Sequence, residues 1–285
     1  MQKSKERENG ESQKHVVDAD GFTIVRRKSR HRGVARISHE RINRLIEQNK
    51  TIDEIKNNVD HQLDESRITL WLKRYEKYKR QLKRTPLFSM LCQQISSIEF
   101  DTVICYGLGR LGIHRCDLQL ALLCLLLESC EDITTGQQEE RYRKQQLRKL
   151  SYDPMHDAMD KEILSRVGMT PLETSTLGED VDTSSRVLLF MPHCERWMYS
   201  KVVETRLSYG GFSNMFIIGN SFKEYLRMDD KKVDWLNQAV DLITEINCPL
   251  HINDSDDCGL DPGLMFDAFN NMRFIKGVEA NGDNA

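Results

Sequence analysis

The sequence has no apolar run approaching the ~20 residues that a membrane-spanning helix requires. Its longest, Leu118 to Leu127, is interrupted by Gln119 and ends at Glu128. No membrane association is expected, and the polar, charged start from Met1 to Asn9 is unlike a secretory leader. A bias of charge is missing as well: 41 Lys and Arg face 44 Asp and Glu, a net charge of -3. The whole chain therefore has no global attraction to nucleic acid or acidic lipid, and only local asymmetry can matter. The tight cysteine framework of a small secreted domain is also lacking. Eight cysteines (92, 105, 116, 124, 130, 194, 248 and 258) fall mostly inside expected strands and helices. Reduced thiols in a cytoplasmic or nuclear chain are the expectation.

What is present is enough for one main domain with an appendage: 285 residues, 39% of them hydrophobic. Residues 1–37 read as a disordered basic tail, with a small apolar patch at Phe22 to Val25 followed by Arg26-Arg27-Lys28-Ser29-Arg30-His31-Arg32. That cluster suits nucleic acid, a nuclear-import signal, or plain solvation. Residues 38–85 carry apolar positions at helical steps, among them Ile42, Leu45, Ile68, Leu72, Tyr75 and Tyr78, and read as a helical arm. Its basic residues between Lys73 and Arg84 lie off the apolar side; docking of an amphipathic helix accounts for them, as does a nucleic-acid surface. Pro86 separates the arm from a core domain at 86–270, and 271–285 reads as frayed.

The centre of the core domain is Thr102-Val103-Ile104-Cys105-Tyr106-Gly107-Leu108-Gly109-Arg110-Leu111-Gly112. A β-branched run, a G-x-G-x-x-G turn and an apolar helix follow one another, so the amides at the helix start should face an anion. Close packing of helix and strand explains the glycines equally well. Val187 to Met191 and Met215 to Ile218 are further buried strands, each followed by a polar tip and a helix. Leu147 to Tyr152 makes a second strand ending at Asp153-Pro154, and Pro249 to Ile252 a last short one, after a helix through Trp235 to Ile243. The rhythm indicates an α/β fold with a mostly parallel sheet and flanking helices.

In such sheets ligands bind at the carboxyl ends of the strands. The pocket candidates are Tyr106, Gly107, Gly109, Gly112, Asp153, His193, Cys194, Gly219, Asn220 and Ser221, with Asp153 placed to bind a ribose hydroxyl. The acidic residue expected ~20 positions beyond the glycines of a nicotinamide site is not at a strand end, since Glu131 and Asp132 follow the helix. A nucleotide- or S-adenosylmethionine-dependent transferase is the alternative reading. His114, Cys116, His193 and Cys194 lie on two strand tips; structural use outweighs metal binding, and no metal is assigned. Adjacent His193 and Cys194 should point opposite ways on an extended tip, against a nucleophile-base pair, and no catalytic constellation is identified.

Cys105-Tyr106-Gly107-Leu108-Gly109, Asp153-Pro154, Phe190-Met191-Pro192-His193-Cys194 and Ile218-Gly219-Asn220-Ser221-Phe222, in that order, resemble the SRR-like family, named for sensitivity to red light reduced. The resemblance covers about residues 98–226. It implies a Rossmann-like domain with a helical amino-terminal arm and a regulatory role in circadian-clock input, haem biosynthesis, or both, exerted through unidentified protein partners. Nucleotide or haem is the implied class of ligand. His156 stands where the family pattern has an aromatic residue.

Overall fold

The computed structural model describes residues 65–134, 147–175, 177, 184–228, 234–250 and 258–278, with the backbone of 16–17 and 23–24. The chain divides into two units, 1–58 and 59–285. In the first, β1 (Val16–Val17) pairs antiparallel with β2 (Thr23–Ile24). β-branched residues in both dipeptides favour extended backbone, and the rest of 1–37, expected to be disordered, lies outside the described residues. Arg26 to Arg32 and the helices expected over 38–64 lie outside the described residues.

The described residues of the second unit form seven strands: β3 (Thr102–Tyr106), β4 (Arg148–Tyr152), β5 (Thr170–Pro171), β6 (Val187–Met191), β7 (Met215–Asn220), β8 (Ile243–Asn247) and β9 (Met272–Gly277). Their order is β5-β4-β3-β6-β7-β9-β8. The first five are parallel, while β9 runs antiparallel to both β7 and β8. The expected α/β fold with a mostly parallel sheet is the fold observed.

Side chains alternate faces along each strand. Val103 and Cys105 of β3, Leu188 and Phe190 of β6, and Phe216 and Ile218 of β7 enter one core cluster. Ile104 and Tyr106, Leu189 and Met191, and Met215 and Ile217 enter the other. Helices cover both faces, so neither parity of a central strand may be polar, which is why these runs are continuously apolar. The first cluster is shared with α1 (65–82), α2 (Pro86–Ile95), α3 (His114–Thr134), α4 (Ala158–Arg166) and α8 (Pro262–Phe269). The second takes in α5 (Arg196–Ser208), α6 (Phe222–Met228) and α7 (Trp235–Ala239).

Three expectations need correction. Pro86 is not a domain boundary: Trp71, Tyr75 and Leu82 of α1 share a core with Leu87 and Leu91 of α2, and Thr85 caps α2 with Pro86 in its first turn. The helix expected through Ile243 ends at Ala239 and passes through a 3₁₀ turn into β8, whose Ile243, Thr244 and Ile246 are β-branched. The carboxyl-terminal stretch is not frayed from 271; Met272–Gly277 is an inner strand between β7 and β8, with Phe274 and Ile275 fully buried.

Candidate functional site at the strand ends

Strand order reverses at β3, whose successors β4 and β6 lie on opposite sides of it. The crevice between the ends of β3 and β6 is therefore the place where an open α/β sheet takes a ligand. Here the side chain of Cys194 fills it. Its Sγ donates to the Tyr106 carbonyl at 3.3 Å, and a β-carbon on Gly107 would fall only 2.5 Å from it. Gly107 has φ +69, so glycine is required twice, for backbone angle and for room. Burial pushes the Cys194 thiol up to about 12, with Asp153 and Glu195 adding to the effect. It stays protonated and is no nucleophile at neutral pH.

The glycine turn does present amides to anions, and the anions belong to the chain. Asp153, just beyond β4, accepts from the Gly109 amide at 2.7 Å and, through its other oxygen, from Met155 at 2.8 Å. Asp160 accepts from Leu111 at 3.1 Å and Asp117 from Gly112 at 2.8 Å. Asp160 also forms a capping box with Asp157 at the start of α4, where Arg110 pairs with Asp157. Asp117 is fully buried and holds the arm helix, accepting from the Trp71 indole at 2.5 Å and from Arg74. Burial raises its pKa, opposed by the Gly112 amide, Trp71 and Arg74.

The tips of β6 and β7 are joined in a second network. His193 adopts φ 54, its amide donates to Asn220 Oδ1 at 3.1 Å, and its Nε2 lies 3.0 Å from the Ala268 carbonyl of α8. The left-handed turn replaces the extended tip expected from sequence, yet His193 and Cys194 still bond to different partners. The Asn220 side chain donates to the Tyr225 hydroxyl at 2.7 Å, which in turn donates to the Cys194 carbonyl. Buried Tyr199 donates to the Met191 carbonyl and accepts from the Asn220 amide at 2.8 Å. Its hydroxyl occupies the space a β-carbon on Gly219 would need. Ser221 caps α6 and donates to Glu245 of β8 at 2.8 Å.

The structure thus brings Tyr106, Gly107, Cys194, His193, Gly219, Asn220 and Ser221 to adjoining strand ends, and Asp153 to the glycine turn. His114 serves elsewhere, its Nδ1 2.5 Å from the Tyr78 hydroxyl, whereas Cys116 packs on Gly109 of the glycine turn. Among the described residues no His, Cys, Asp and Glu cluster could hold a metal ion. No described helix is long and apolar enough to cross a membrane.

Sequence reasoning missed Asp117, Asp160, Tyr199, Tyr225 and Glu245. Asp157-x-x-Asp160 before α4 is a legible capping signal, and Asp117 is an acid in the first turn of α3. Nothing in the sequence near Tyr199 or Glu245 marks their partners.

Comparison with known proteins decides the family, because the SRR1 domain model matches residues 74–275, well over half of the chain. The chain belongs to the SRR1 domain family. A mouse SRR1-like protein is 27% identical over 129 residues, which cover 45% of this chain and 47% of the relative. The chain thus spans about half the length of the curated relative it matches. No solved structure matches the chain. The SRR1 domain as matched starts inside α1 and ends in β9, so it takes in the second half of the arm helix. Family membership carries a regulatory reading at the level of the family.

Proposed function

We propose that this SRR1 domain chain is a regulator acting through protein partners, in circadian-clock input, in control of haem biosynthesis, or in both. The observation that supports it is the internal pairing of the glycine turn. The amides of Gly109, Leu111 and Gly112, which an anionic cofactor would need, are met by Asp153, Asp160 and Asp117. The same carboxylates would repel a nucleotide's phosphates. With Cys194 seated in the switch-point crevice, the strand ends are better suited to holding a fixed surface than to turning over a substrate. The cytoplasm, the nucleus or both are the compartments this role requires.

Removal of the chain from its native cells, scored by free-running period and by haem content, tests the role. A change in either supports it; two unchanged readouts overturn it. A thermal-shift panel of nucleotides, S-adenosylmethionine and haem tests the transferase alternative. A true ligand at 100 times its dissociation constant adds ~2.7 kcal/mol. Stabilisation by S-adenosylmethionine or a nucleotide, abolished by Asp153→Asn, would favour that alternative.

A further inference from the structure

The near-neutral total charge hides a concentrated positive face. Residues 65–84 hold eight Lys and Arg against two Glu, in a chain of net charge -3. Arg74 is engaged with Asp117 and Lys79 with Glu128, so these two serve docking of the helix. Lys73, Lys77, Arg80 and Arg84 are exposed and follow one another at steps of four, three and four residues. Side chains at such steps share one helix face. At 1.5 Å per residue Lys73, Lys77 and Arg80 run along ~10 Å of α1, and Arg84 follows in the turn just past its end. No ion pair among the described residues neutralises any of the four.

We propose that this face of α1 docks a nucleic-acid backbone. Cations near a helix carboxyl terminus complement the macrodipole, which accounts for Arg80 and Arg84. It does not account for Lys73 and Lys77, which lie about 2.5 and 1.4 turns before the end of α1 at 82 and so outside its last turn, within which the dipole effect fades. Glu76, three residues from Lys73 and four from Arg80, is the one acid beside this line, and it is engaged with Lys79. The cations left in excess are complementary to a polymer carrying one negative charge at each repeat, which nucleic acid is. The aromatic residues of α1, Trp71, Tyr75 and Tyr78, are all buried in the core. The helix therefore offers phosphate contacts without base stacking, and recognition by it is independent of sequence.

The test is fluorescence anisotropy with the full chain and labelled 20-nucleotide single-stranded RNA and duplex DNA of unrelated sequences. The variant carries Lys73→Gln, Lys77→Gln and Arg80→Gln; Arg26 to Arg32 stay in both proteins, so the difference isolates the helix. Losing three phosphate contacts lowers the salt slope on single strands by about 2, so the loss of affinity between about 50 and 200 mM salt shrinks roughly 20-fold. Lys77→Gln alone lowers that slope by ~0.7 and guards against a misfolded triple variant. A slope unchanged in both variants, no binding by wild type at low salt, or equal displacement by polyglutamate of matched charge overturns the proposal.

Discussion

Cys194 sits against Gly107 so closely that a β-carbon on the glycine would fall 2.5 Å from the sulfur. The contact closes the crevice between β3 and β6. Gly107→Ala must therefore displace the thiol and also hold alanine at φ +69. It is expected to destabilise by more than about 1 kcal/mol. Removing the sulfur with Cys194→Ala relieves the clash but not the backbone strain. A double-mutant cycle in urea should show a coupling of ~0.5–3 kcal/mol, and additive losses would mean the two residues do not meet.

Asp153→Ala leaves the Gly109 amide without its acceptor. The expected loss is ~1–3 kcal/mol in urea unfolding, with Asp153→Asn recovering part of it through the remaining carbonyl oxygen. Equal stability of the alanine variant and wild type would show that the turn amide is solvated instead.

Tyr199 is fully buried, and its hydroxyl serves the Met191 carbonyl and the Asn220 amide together. Tyr199→Phe leaves both backbone groups unpaired with little change in shape. The variant should lose ~1–3 kcal/mol, read from the denaturation midpoint at unchanged m-value.

Stability should depend on pH through His156. Burial lowers its pKa from the ordinary 6.5 and outweighs the attraction of Asp153, Asp160 and Asp157 and a bond to the Gly109 backbone. Below pH 6.5 the unfolded imidazole takes up a proton that the folded one refuses, so unfolding is favoured as pH falls. The contribution is complete above 6.5 and is lost progressively down to the lower folded value. His156→Gln should flatten stability between those limits, as measured by urea titrations at stepped pH. An unchanged slope in the variant would assign the dependence to the carboxylates.

The sequence by itself determined the strands that form the centre of the sheet and the turns that follow them. Val187–Met191 had the same bounds in sequence and structure because a strand buried on both faces must be apolar at every position. The glycine turn, the helix starts and the convergence of the β3, β6 and β7 tips were legible for the same local reasons. Tertiary structure alone decided what those tips do. The partners of Gly109 and Leu111 lie 44 and 49 residues away, and their pairing depends on β4 lying beside β3. β9 escaped notice because its Arg273 and Lys276 break the apolar run, and only insertion between β7 and β8 gives its backbone two partners. Periodicity and turn chemistry act over a few residues, whereas occupation of the crevice by Cys194 follows from strand order, which no local pattern encodes.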